Sequence, residues 1–231
     1  MKFLPFLAWG VVAARTLYER WKKSWELNGE LLEFPQYSIV DLPENTNARL
    51  RGQLEQPEGS NPILAPMTGR ACIAWRVSIE VRDKAPAVGK PWWKEPEVYD
   101  DAASSVVFVD PTGRALLRDG AQWRLDMDAK GGGGQWNDLN APAAAPLRTL
   151  FAQMDVAMDY QRWDQDVRVQ EGVVRVGDPV VVGASGRWEL NPEATSAYRE
   201  VERRRRLEKM TNGQLVVTTD RRMLRRTPSR S

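Results

Sequence analysis

The sequence predicts a mainly β domain of the α+β kind: an antiparallel sandwich or partly closed barrel with one or two packed helices and an Arg-rich C-terminal helix. Three observations carry this. Residues 75–82, within the run 72–82, alternate apolar and polar with the two-residue period of a half-buried strand. Short runs rich in Val and Ile recur from residue 37 to about 190, separated by Pro, Gly and Asp turns. The chain has 231 residues, 42% hydrophobic and 28% charged, enough apolar matter for one sizeable core or two small ones.

Residues 3–14, FLPFLAWGVVAA, form an uncharged apolar run that a helix would extend to roughly 18 Å, short of the ~30 Å bilayer core. Lys2 and the small residues Val12-Ala13-Ala14 allow a signal peptide. Pro5, Trp9 and Gly10 within the run, and Arg15, Arg20, Lys22 and Lys23 after it with Tyr18, Trp21 and Trp25 interleaved, favour a retained membrane-surface anchor. A helix packed on the protein's own core fits the same length. Residues 1–26 are therefore set apart as an anchor or signal-like segment, 27–191 as the β domain, and 192–231 as an Arg-rich helix, a last strand and a basic tail.

Within the domain, Tyr37–Val40 is a short β-rich run, and Arg49–Leu54 alternates. In the clearest strand, Trp75, Val77, Ile79 and Val81 face a core, opposite Arg76, Ser78, Glu80 and Arg82. Pro86, Pro91 and Pro96 break residues 83–103 into a loop carrying Trp92 and Trp93. Ser105–Val109, the turn Asp110-Pro111-Thr112-Gly113 and Arg114–Leu117 read as a hairpin. The four glycines 131–134 lack the Gly-Lys-Ser/Thr of a phosphate loop and read as a flexible tip or linker. Leu147, Leu150, Phe151, Met154 and Met158 follow Pro146 at helical spacing and predict a helix on the sheet. Val167–Val169 and Val180–Val182 are strands either side of a Gly177-Asp178-Pro179 turn. Glu193–Met210 reads as a helix carrying Arg203, Arg204, Arg205 and Arg206, which at about 100° per residue would spread round its circumference. Asn212-Gly213 would end it, before a strand at Leu215–Val217.

Charge is segregated along the chain. Residues 1–23 hold five basic side chains against Glu19 alone, and residues 199–231 hold eleven against four acidic ones, so an overall charge of +2 requires an acidic middle. Basic ends flanking an acidic body suit ends that approach an anionic surface, lipid or nucleic acid. Trp9, Arg15, Arg20, Trp21, Lys22, Lys23 and Arg203–Arg206 are the candidate membrane or anion contacts.

Chemistry is narrowed by composition. With no histidine and one cysteine, Cys72, the sequence excludes Ser-His-Asp and Cys-His catalysis, zinc sites of Cys and His, and a disulfide framework. Asp100-Asp101 and the Asp126, Asp128 pair are carboxylates of a kind loops often carry. A carboxylate-based hydrolase would need two of Asp100, Asp101, Glu171 and Asp178 in one cleft. Glu171 and Asp178 are expected instead to cap backbone amides around the Gly177 turn. No catalytic residue, metal or cofactor is assigned.

Several segments in order resemble the GIDE domain, also called the beside-a-membrane domain, of a mitochondrial outer-membrane E3 ubiquitin ligase and many bacterial membrane proteins. They are Ile63–Cys72 (ILAPMTGRAC) running into Trp75-Arg76-Val77, Phe108–Gly113 (FVDPTG), Val169-Gln170-Glu171, and Val176–Gly183 (VGDPVVVG), with Asp41-Leu42-Pro43 and Leu215–Asp220 in matching places. The matched positions are Pro66, Gly69, Arg70, Cys72, Asp110, Gly113, Glu171, Gly177, Asp178 and Gly183, over roughly residues 37–226. The ligase's RING needs Cys and His ligands that this chain lacks, so ligase activity is not implied. Flanking transmembrane helices common in the family are also missing from the pattern. The resemblance implies a non-enzymatic, membrane-associated module on the cytoplasmic side that binds a protein or lipid partner. Nucleic-acid binding through the Arg-rich helix and tail, with exposed Trp as stacking platforms, is the competing reading.

Overall fold

The computed structural model describes residues 29–57, 59–83, 97–104, 106–125, 134–136, 144–153, 165–190 and 203–225. Predictions for the apolar and basic N-terminal segment, for Trp92 and Trp93, for Asp126 and Asp128, for Met154 and Met158, and for residues 191–202 lie outside them.

Thirteen strands are described: β1 (Asn47–Glu55), β2 (Ile63–Leu64), β3 (Ala71–Cys72), β4 (Ala74–Asp83), β5 (Glu97–Ala102), β6 (Val106–Asp110), β7 (Gly113–Leu117), β8 (Gln122–Arg124), β9 (Gly134–Trp136), β10 (Gln165–Val174), β11 (Pro179–Leu190), β12 (Arg203–Glu208) and β13 (Val216–Thr218). Five close into a barrel in the order β1-β6-β7-β12-β11, with β1 pairing back onto β11. β13 and then β8 extend from β11 beyond the closure. Closure is possible because β11 is long: residues 179–185 pair with β1, and residues 185–190 with β12. The fold is the barrel alternative, and it is mixed rather than purely antiparallel, since β12 runs parallel to β7 and β13 parallel to β8.

Alternation places Leu50, Leu54, Phe108, Ala115, Leu117, Val180, Val182, Leu207 and Val217 in the barrel interior. β11 reads Val-Val-Val because it is covered on both faces: Val181 packs outward with Leu31, Met210, Val216 and Met223. Residues 29–33 are helical and lie on this outer face with the one-turn helix Arg221–Arg225, which Asp220 caps by accepting the Arg222 N–H at 2.8 Å.

A second, four-stranded antiparallel sheet runs β5-β4-β10-β9. Val77, Ile79, Val167 and Val169 on one face take Leu147, Leu150 and Phe151 of the predicted helix, observed at Ala145–Gln153. Trp75 and Val81 pack on this cluster as their spacing required.

Three local expectations are overturned. Residues 97–102, expected within a loop over 83–103, form β5 and pair with β4. Tyr37–Val40 is not a strand: residues 39–41 turn so that Ile39, 2% exposed, enters the barrel core. Arg203–Arg206 lie on strand β12, not on a helix. Arg205 and Leu207 are buried and their neighbours half-exposed, the period of two that inward and outward faces impose. The segment 192–231 thereby contributes β12 to the barrel wall as well as the expected last strand, β13, beside it.

Candidate functional site

The positions singled out by the resemblance fall into three places, where each holds backbone. Asp110 ends β6. Its Oδ1 accepts from the N–H groups of Thr112 (2.7 Å) and Gly113 (3.0 Å) and from the Thr112 hydroxyl (2.6 Å). Its Oδ2 accepts the Ile39 N–H at 2.8 Å, so one carboxylate shapes the β6–β7 turn and pins the segment that plugs the barrel.

Glu171 is the second anchor, and its partner differs from the expected one. It is 2% exposed on β10, and accepts the Met67 N–H at 2.7 Å and the Thr68 hydroxyl at 2.6 Å. It thus secures the Ala65-Pro66-Met67-Thr68-Gly69 turn rather than the Gly177 turn. Pro66 lies in that turn, which is closed by the Gly69 N–H to the Ala65 carbonyl at 2.8 Å, and Gly69 takes a φ of 64°. Arg70 is exposed and offers its carbonyl to the Ala65 N–H at 2.9 Å. Cys72, a free buried thiol, follows on β3. Burial pushes its pKa up to about 11, aided by the negative charges of Glu171 and Asp101 and opposed by a backbone hydrogen bond at Ala65. The thiolate is disfavoured, so Cys72 behaves as a small apolar side chain.

Asp178 is the third, and here the expectation holds. Its Oδ2 accepts the Arg175 N–H at 2.8 Å across the turn in which Gly177 has φ 82°. Gly183 is explained by close approach: a Cβ there would stand 2.2 Å from Cδ2 of Leu31.

The hydrolase carboxylates do not converge. Glu171 and Asp178 are engaged at different turns, whereas Asp100 and Asp101 line a cleft of about 320 Å³ where β5 meets the β7–β8 connection. As consecutive strand residues they project to opposite faces. Among the described residues no group of three or more His, Cys, Asp or Glu is placed to hold a metal ion.

The arginine run was expected to meet a membrane or nucleic acid, and β12 divides it. Arg205, 1% exposed, stacks on Trp188 at 4.6 Å from the ring centroid and is withdrawn from any surface. Burial lowers its pKa, and the charge of Glu44 partly restores it. Arg204 and Arg206 share Glu189, at 2.7 and 2.9 Å. Burial alone would raise the Glu189 pKa, but these two hydrogen bonds and charges hold it below the usual carboxylate range. Of the four, Arg203 alone is exposed. At Arg203–Glu208 the helix on which nucleic-acid binding depended is replaced by a strand that splits its charges. Sequence reasoning missed Arg187, which stands directly opposite Arg206 in the β11–β12 pairing.

No protein-family model, curated protein or solved structure matches the chain. Among the described residues no helix is long and apolar enough to cross a membrane.

Proposed function

We propose that the protein is a non-enzymatic binding module of GIDE-like kind, held at an anionic membrane surface by its two basic ends, its body on the cytoplasmic side and available to a protein or lipid partner. One observation carries the reading. Leu31, Leu32 and Phe34 pack in the same cluster as Met223 and Leu224, so the first and last described residues, next in sequence to the basic N-terminal segment and the basic tail, lie on one face of the barrel. Lys and Arg close to an anionic leaflet contribute about 1 kcal/mol each, enough together to supplement a short apolar anchor.

The test is co-sedimentation of the full chain with neutral and anionic vesicles across a salt series. Binding to anionic vesicles that weakens with salt, and that falls when Arg15, Arg20, Lys22 and Lys23 are replaced by Gln or when the tail arginines are, supports the reading. Equal pelleting with neutral and anionic vesicles, or none with either, overturns it.

A further inference from the structure

β5 ends the side sheet, and among the described residues no strand pairs with its outer edge. The Ala103 N–H is bonded to the Ile73 carbonyl at 2.8 Å, which sets the phase of the β4–β5 ladder. Asp101 and Tyr99 therefore direct their backbone groups to β4, whereas Val98, Asp100 and Ala102 direct theirs outward. The outward Ala102 N–H is capped by the Asp101 carboxylate at 2.8 Å, and those of Val98 and Asp100 have no partner among the described residues. An edge of this kind accepts another strand.

The cleft of about 320 Å³ lies along the same strand. Its floor is apolar: Val106, Leu117 and Trp123 are buried in the barrel core, and Ala102 and Ala121 pack half-buried against it. Asp100 is opposite Arg76 in the register, and the Arg76 guanidinium reaches the Trp123 carbonyl of β8, so this face of β5 looks onto the cleft. Asp100 and Asp119, both exposed, stand on its rim and form no ion pair among the described residues. Arg118 on its wall lies 3.6 Å from Glu208. Asp100, Asp101, Asp119 and Glu208 thus outnumber Arg76 and Arg118, and the surplus is negative. The charge decides the occupant. A second copy paired through β5 would set acidic edge against acidic edge, which repels, whereas a basic strand is attracted.

We propose that the outer edge of β5 takes up an extended basic segment of a protein partner. The residue of that segment paired with Asp100 shares its face, and as Lys or Arg it fills the cleft, its alkyl stem on the apolar floor and its cationic head between Asp100 and Asp119. Val98, 41% exposed, stands on the same face two residues away, so an apolar residue two positions from the Lys or Arg completes the match. The inference rests on the binding reading but uses none of the basic end residues, so vesicle sedimentation and peptide binding fail separately.

The probe is the rhodamine-labelled peptide Thr-Val-Thr-Lys-Thr-Val-Thr with blocked termini, titrated with the full chain and read by fluorescence anisotropy. The same peptide with Glu in place of Lys is the control. The Lys peptide binds, more weakly as salt is added, and the Glu peptide binds at least about 10-fold less tightly. Val98→Pro removes an outward N–H that β4 does not use, a change edge strands accept, so its melting temperature stays near that of wild type while affinity falls about 10-fold. Asp100→Asn/Asp119→Asn alters two exposed side chains, so it folds, weakens binding about 5-fold or more and flattens the salt dependence. The Lys peptide methylated on its Val and Lys nitrogens makes the cut from the ligand side, leaves the protein untouched and does not bind. Equal affinity for the Lys and Glu peptides, no binding of the Lys peptide, or binding that survives Val98→Pro, the double Asn variant or nitrogen methylation overturns the proposal.

Discussion

Glu171 shows what a single side chain does in this fold. Both carboxylate oxygens are used, on the Met67 N–H and the Thr68 hydroxyl, and the same charge helps hold the Cys72 thiol protonated. Glu171→Ala strands a buried amide and a hydroxyl, so urea denaturation should show a loss of about 1–3 kcal/mol, whereas Glu171→Gln, which keeps an acceptor, loses less. Glu171→Gln also removes a negative charge beside Cys72, and the pH dependence of iodoacetamide alkylation should move down from about 11 toward the ordinary 9.0. A profile that stays put would show that burial and Asp101, not the Glu171 charge, set the thiol. The linkage sign follows. A thiol whose pKa rises on folding is protonated longer in the folded state, so stability is level below pH 9 and declines between the unfolded 9.0 and the folded value of about 11. Asp220 contributes in the opposite window. Burial would raise its pKa, but the Arg222 hydrogen bonds outweigh this and keep it low, so its stabilisation is lost as pH falls through that depressed value. Roles of this kind were half legible. The Asp178 cap lies within three residues of its target and follows from turn chemistry. Glu171 reaches 104 residues away to Met67 and Asp110 reaches 71 to Ile39, and no local pattern in the sequence encodes either.

Strands show the same division between local and distant causes. β4, the β6–β7 hairpin and the β10–β11 turn were readable because their alternation and turn residues are contained in a dozen positions. β12 was not, since four arginines carry no apolar alternation and one of them faces inward only because Trp188 and Gly186 receive it. Tyr37–Val40 has strand-forming residues, yet the Asp110 and Thr112 side chains take up the Ile39 and Val40 N–H groups and fix a turn. Glycines mark where elements press closest. A Cβ at Gly52 would stand 2.1 Å from the Val109 carbonyl oxygen and 2.7 Å from the Phe108 ring, so Gly52→Ala must shift backbone between β1 and β6. At Gly183 the obstacle is the tip of the Leu31 side chain, which can turn away. Overpacking costs about 1–3 kcal/mol, and Gly52→Ala is expected at or above the upper end with Gly183→Ala below it, read from urea midpoints. Gly183→Ala should in addition speed amide exchange in residues 29–33 while leaving β1 and β6 protected. The reverse order of stabilities would mean that the Leu31 contact, and not the β1–β6 approach, limits the barrel.

At the scale of the whole molecule, barrel closure rests on β1 returning to β11 and on the parallel β7–β12 pairing, contacts between segments that sequence alternation cannot order. The side sheet is joined to this barrel, not merely adjacent to it. Ile73, Ala74 and Val174 belong to the barrel core although β4 and β10 carry on into the sheet, and the Ile73 N–H is bonded to the Val174 carbonyl at 2.7 Å. Arg76, on the polar face of β4, donates from Nη1 to the Trp123 carbonyl of β8 and ties the sheet to the barrel extension. Arg76 is half-buried on that face, where this bond holds it. Arg76→Met keeps the length of the side chain and removes the donor, leaving the Trp123 carbonyl part-buried, for a loss of about 1–3 kcal/mol. The loss should be unevenly felt. The sheet has its own small core of Val77, Ile79, Val167 and Val169 under the helix Ala145–Gln153, so it can open as a unit once the tie is cut. Native-state amide exchange should then speed in β4, β10 and that helix, with β1 and β11 unchanged. If instead every protected amide accelerates by the same factor, Ile73, Ala74 and Val174 suffice to make barrel and sheet one cooperative unit, and Arg76 is only one of many contacts within it.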